Sequence, residues 1–147
     1  MTPQSEASRP ILLIDDESAH RRIFKRALKK AGISRPVLEC SSLGEAKALV
    51  KRIAAGEAHA PVVAFLDLNL GDGRGTALIS ALRSAVPTSG IPILILSTSS
   101  LERDVEESLS LGATRYLLKL DDPEQFCARI IEELHTLFTP TNKPLND

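Results

Sequence analysis

Residues Ile11 to Glu17 read ILLIDDE: four consecutive aliphatic side chains run straight into three acids. A half-exposed strand would alternate apolar with polar, so an unbroken run this short reads as a strand covered on both faces, the habit of parallel sheets. Similar runs recur at Val62–Leu66, Ile91–Leu96 and Tyr116–Leu118, and the first extends back to Pro10. A more mixed run, Pro36–Cys40, suits a strand at the sheet edge. Between them lie stripes at helical spacing: Ile23, Ala27 and Ala31; Ala46, Leu49, Val50 and Ile53; Leu78, Ala81, Leu82 and Ala85; Leu101, Val105 and Leu109; and Phe126, Ile130, Ile131, Leu134 and Phe138. Five strands alternating with five helices imply right-handed crossovers and a doubly wound α/β domain with a five-stranded parallel sheet.

Local punctuation agrees with this alternation. Ser42 with Glu45, and Ser99 with Glu102, have the spacing of capping boxes, and Asp122-Pro123 supplies an N-cap and a first-turn proline. Gly32, Gly56 and Gly112 stand where a helix ends in a left-handed residue. Residues 1–9 read as an extension, 10–138 as the domain, and Thr139–Asp147, without an apolar period, as a flexible tail.

Composition removes several classes of function. At 147 residues the chain has room for one domain and no second folded output module. Eighteen Lys and Arg against nineteen Asp and Glu leave a net charge of −1, no field for gathering a phosphate backbone, so DNA is not an expected partner. Four Phe, one Tyr and no Trp are too few for stacking platforms. Cys40 and Cys127 lack metal or disulfide spacing and read as small buried hydrophobes. With no signal segment and no membrane span, the expected location is cytoplasmic.

Polar residues follow the aliphatic runs: Asp15-Asp16-Glu17 after the first, Asp67 at the end of the Val62–Leu66 run, Ser97 after the next and Lys119 after the last. All fall at carboxyl ends of strands, the edge where open α/β sheets bind ligands. Clustered carboxylates repel one another unless a hard cation neutralises them, and Mg²⁺, an oxygen-seeking ion, is the expected cofactor. Asp67 beside such an ion becomes an oxygen nucleophile toward phosphorus, with Lys119 countering charge and Ser97 offering a hydroxyl to the phosphoryl oxygens. For each residue a plainer reading stands beside this one. Asp15 and Asp16 suit a helix N-terminus, Asp67 a loop cap, Lys119 a strand end, Ser97 a helix cap and Tyr116 ordinary packing.

Over about Pro10 to Phe138 the sequence resembles a response-regulator receiver domain, through ILLIDDE at 11–17, FLDLNLGDGRG at 65–75, PILILS at 92–97 and GATRYLLK at 112–119. The resemblance implies a flavodoxin-like sheet of order 2-1-3-4-5, with Asp67 as phosphoacceptor. It also implies Asp16 as a direct Mg²⁺ ligand, Asp15 as a ligand through water, and the backbone carbonyl of Asn69 as a further ligand. Ser97 and Tyr116 match the family's switch pair, whose rearrangement alters the face formed by the fourth helix, fifth strand and fifth helix. The implied partners are a sensor histidine kinase or histidine phosphotransfer protein, a downstream protein target, and a second copy docking through that face. The strings LDLNL and STSS resemble the small single-domain regulators that accompany phytochrome-type kinases.

The chain departs from the family pattern at four positions. Leu120 stands where proline usually follows the lysine, often through a cis peptide. A non-proline cis bond costs about 2.5–4 kcal/mol, so the sequence leaves two readings, a cis peptide as in the family or a trans one with the loop placed differently. Gly71 replaces a common proline, Ser97 a commoner threonine, and Thr98 a frequent alanine. Arg21, Arg22, Lys25, Arg26, Lys29 and Lys30 make the first helix basic, a solvated face or a docking face, and His20 beside them reads as an accessory surface residue. Two alternatives remain: a pseudo-receiver that binds partners without phosphorylation, and a Mg²⁺-dependent phosphohydrolase with an Asp nucleophile. The second wants an acid two residues after Asp67, where Asn69 stands.

Overall fold

The computed structural model describes residues 9–138, and both the tail Thr139–Asp147 and all but the last residue of the N-terminal extension lie outside it. The chain alternates β1 (Ile11–Ile14), α1 (Ser18–Lys30), β2 (Val37–Cys40), α2 (Leu43–Ala54), β3 (Val63–Leu66), α3 (Thr76–Ser84), β4 (Ile93–Ser97), α4 (Glu102–Ser110), β5 (Arg115–Leu118) and α5 (Pro123–Leu137). The five strands pair in parallel in the order β2-β1-β3-β4-β5, as expected. A small antiparallel ribbon, Asn69–Leu70 against Gly73–Arg74, turns through Gly71 and Asp72.

Alternate residues of each strand feed the two faces. Leu12, Ile14, Ala64, Leu66, Ile93 and Ile95 pack beneath α2 and α3, while Ile11, Leu13, Val63, Phe65, Leu94 and Leu96 pack beneath α1 and α5. Burial on both faces is why these runs contain no polar residue. Cys40 and Cys127 are buried free thiols, and burial pushes the Cys40 thiol up to about 11. No helix among the described residues is long and apolar enough to cross a membrane.

Helix ends follow their signals in part. The Ser42 hydroxyl accepts from Glu45 N at 3.1 Å and the Asp122 carboxylate from Glu124 N at 2.9 Å, and Gly32, Gly56 and Gly112 have positive φ. The Ser99–Glu102 box does not form. Helix α4 is capped at Leu101 by backbone alone, and the Ser99 hydroxyl is turned onto Asp104.

Two burial expectations are also corrected. The run Tyr116–Leu118 is an edge strand in which only Leu117 is fully buried, because it has one neighbour in the sheet. The stripe Leu101, Val105, Leu109 does not face a core: Leu101 and Leu109 are exposed, and α4 buries Asp104 and Ser108 instead. Its inner face is therefore held by polar contacts of Asp104 with Arg74 and Ser99, while Ser108 Oγ donates within the helix to the Asp104 carbonyl at 2.7 Å.

Candidate functional site

Strand order reverses between β1 and β3, and the carboxyl ends of these strands form the mouth where the predicted residues meet. The turn after β1 brings in Asp15 and Asp16, β3 ends against Asp67, and β5 runs into Lys119. Oxygens of Asp15, Asp16 and Asp67 all lie within 4.8 Å of one another. Asp15 and Asp67 are buried, whereas Asp16 is exposed at the rim.

Lys119 is buried among them, its ammonium 2.8 Å from Asp15 Oδ2 and 3.0 Å from Asp67 Oδ2. Burial works against that charge, but Asp15 and then Asp67 outweigh it and hold the pKa above the ordinary lysine value. Burial pushes the Asp67 carboxyl above the usual carboxylate range, with Lys119 pulling it down and Asp15 pushing it further up. Asp67 Oδ1 accepts from Asn69 N at 3.2 Å, and Asp15 Oδ1 from Glu17 N at 2.9 Å. The peptide after Lys119 is trans.

The donor set suits a hard cation. All three carboxylates offer oxygen, one ammonium leaves their negative charge in excess, and exposed Asp16 opens the cluster to a hydrated ion.

Ser97 sits one strand away from Asp67 and Tyr116 two strands away, on the edge strand β5. The fully buried Ser97 hydroxyl accepts from Ser99 N at 3.1 Å, and the half-buried Tyr116 hydroxyl donates to the Ser99 carbonyl at 2.7 Å. Both switch candidates are thus tied to one residue of the β4–α4 loop.

A second set of contacts spans the mouth. Arg74 donates to Asn69 Oδ1 and to Asp104 Oδ1, each at 3.0 Å, and Ser99 Oγ donates to Asp104 Oδ2 at 2.5 Å. From Asp67 through Asn69, Arg74, Asp104 and Ser99 to Tyr116, a continuous chain of polar contacts crosses from the acids to β5. The Ser99 hydroxyl and then Arg74 hold the Asp104 carboxyl below its usual range. Asn69, Arg74, Ser99 and Asp104 flank an open polar groove of about 610 Å³.

Arg74 and Asp104, which nothing in the sequence singles out, lie against the site, together with Ser99, read as a helix cap, and His20. His20 corrects an expectation: its side chain is 22% exposed, with Nδ1 2.8 Å from Lys119 Nζ, because the first turn of α1 rises directly from the mouth. Its place in the first turn of α1, three residues after the N-cap Glu17 and close behind the acids, was the available signal. Of the basic residues on α1, Arg21 and Lys25 pair with Glu39 and Arg26 with Glu124.

Two further residues shape the loop after Asp67. Asp72 accepts from Leu43 N at 2.8 Å and Gly44 N at 3.0 Å, so the ribbon's turn caps α2. A Cβ on Gly75 would overlap the Asp67 carbonyl oxygen.

The family model of the response regulator receiver domain matches residues 11–131. This chain belongs to the response regulator receiver domain family. It is 29% identical over 140 residues to the photosynthetic apparatus regulatory protein RegA of Rhodobacter capsulatus, covering 95% of this chain and 71% of RegA. It is 33% identical over 125 residues to the alginate biosynthesis transcriptional regulatory protein AlgB of Pseudomonas aeruginosa, covering 85% of this chain but only 26% of AlgB. Among solved structures, the phosphorylated cyanobacterial phytochrome response regulator RcpA superposes with a TM-score of 0.79 at 25% identity, over 87% of this chain and 92% of RcpA. The receiver domain therefore places this protein in two-component signalling.

Proposed function

We propose that this receiver accepts a phosphoryl group on Asp67 from a sensor histidine kinase or a histidine phosphotransfer protein, and signals by changing the protein-binding surface around α4, β5 and α5. The observation that carries this reading is the buried contact of Asp67 with Lys119 at 3.0 Å, inside a cluster that also holds the oxygens of Asp15 and Asp16. A fold does not need three acids and an ammonium in one mouth, since buried charges are costly unless paired.

In the transfer, an Asp67 oxygen forms a bond to phosphorus as the bond from phosphorus to the donor's histidine nitrogen breaks. The nitrogen keeps the electron pair and is later reprotonated from solvent. Lys119 lies within reach of the charge that develops on the phosphoryl oxygens, and the Ser97 hydroxyl, once released from Ser99 N, supplies a further hydrogen bond. Mg²⁺, held by Asp16, Asp67 and the carbonyl of Asn69, with Asp15 acting through water, would supply neutralisation of the transferring group. Withdrawal of Ser97 from the loop would free Ser99, and with it the Tyr116 hydroxyl, so that the phosphoryl group selects between two packings.

The phosphorylated relative RcpA supports the same chemistry at Asp67. The test is incubation with Mg²⁺ and acetyl phosphate followed by intact-mass measurement. One phosphoryl addition, absent from Asp67→Asn, is expected; an unmodified parent would identify a pseudo-receiver, and turnover of phosphate esters a hydrolase.

A further inference from the structure

We infer that His20 is a positioning residue for Lys119, a role that rests on the phosphoacceptor reading above. An ammonium has three N–H donors and no acceptor. Those of Lys119 have three acceptors within reach: Asp15 Oδ2 at 2.8 Å, Asp67 Oδ2 at 3.0 Å and His20 Nδ1 at 2.8 Å. Because the ammonium only donates, Nδ1 carries the lone pair and the ring proton sits on Nε2, which points toward Glu17 Oε2 at 3.4 Å. The ring is fixed on its other side by an edge-on contact with Phe126 of α5, centroids 5.6 Å apart. Neither neighbour is a phosphoryl ligand, so the imidazole is held where it is by α1 and α5 independently of the chemistry.

The consequence appears on phosphorylation. Formation of the acyl phosphate removes the charge from the Asp67 carboxyl, and the ammonium's attraction to it weakens just when a phosphoryl oxygen needs the freed N–H. Asp15 and His20 remain as two fixed anchors. With two acceptors the Nζ position is defined; with Asp15 alone the ammonium swings about a single contact. His20 thus sets how well Lys119 meets the transferring group, without touching that group itself.

Two substitutions separate hydrogen bonding from packing. His20→Leu keeps an apolar contact for Phe126 but has no acceptor, whereas His20→Asn places an amide oxygen near the Nδ1 position. With acetyl phosphate and Mg²⁺, the phosphorylation rate constant of His20→Leu is expected to fall ten- to a hundredfold, the size of one lost hydrogen bond to a charged group. His20→Asn should recover to within about threefold of the parent, and Mg²⁺ affinity should change by less than about twofold in both, since one hydrogen bond at the lysine leaves the carboxylate ligands in place. A parent-like rate in His20→Leu, or an Asn variant as slow as Leu, overturns the assignment. If the parent itself takes up no phosphoryl group, the phosphoacceptor reading fails with it. The contact remains separately measurable, because the imidazole ¹⁵N spectrum should show an unprotonated Nδ1 whose shift moves in Lys119→Met. A protonated Nδ1, or no movement, refutes the positioning contact on its own.

Discussion

Arg74 and Asp104 form an ion pair of 3.0 Å between the ribbon that follows Asp67 and the first turn of α4. The same guanidinium holds the Asn69 side chain, so it links the acidic mouth to a helix that packs with little apolar burial. Arg74→Ala is expected to accelerate amide hydrogen exchange through α4 while leaving α1 and α5 unchanged, because polar contacts hold the inner face of α4. Uniform acceleration across all helices would show that the pair stabilises the whole fold instead.

The pair also has a pH signature. The Asp104 carboxyl titrates below its unfolded value of about 3.9, so its contribution to stability is present above that pH and is lost as pH falls through the depressed folded value. Melting curves of the parent and Asp104→Asn should therefore converge in acid and separate above about pH 4. A gap that persists unchanged in acid would mean that the carboxylate charge is irrelevant there.

Asp67→Asn should melt at a higher temperature than the parent in metal-free buffer. Burial and Asp15 hold the Asp67 pKa above its free value, which means that the ionised form carries a net cost in the folded state. Millimolar Mg²⁺ should raise the melting temperature of the parent and narrow or reverse the difference, since a ligand selective for the folded state stabilises it. A destabilised Asp67→Asn in chelator would show that the Lys119 pairing outweighs the burial.

Gly75→Ala should cost about 1–3 kcal/mol, measured by denaturant unfolding, because the added methyl meets the Asp67 backbone rather than a movable side chain. It should also slow phosphoryl uptake, since the atom displaced belongs to the phosphoacceptor itself. Asp72→Ala, which removes two N-terminal acceptors of α2 without a clash, should destabilise the protein less.

The strands were legible because burial on both faces leaves an unbroken aliphatic signature, and ILLI, VAFL and ILILS carry it. The acids and Lys119 were legible because they stand next to those runs. β5 was overread, since an edge strand of four residues contains too few positions to show that Arg115 and Leu118 face solvent. The polar face of α4 was missed for a different reason. Leu101, Val105 and Leu109 make a helical stripe as regular as any buried one, and only the partners of Asp104, 30 residues away at Arg74 and on the preceding loop at Ser99, reveal which side turns inward. Contacts of that kind join segments whose spacing in sequence has no period, and His20 with Lys119, 99 residues apart, belongs to the same class.

Tyr116 is the only tyrosine in a chain without tryptophan. Its hydroxyl ends the polar chain that begins at Asp67, on the carbonyl of Ser99. Tyrosine emission and the tyrosine band of the near-ultraviolet circular dichroism therefore come from a single side chain at the end of that chain of contacts, which serves as a built-in optical gauge and spares the molecule any dye or grafted label.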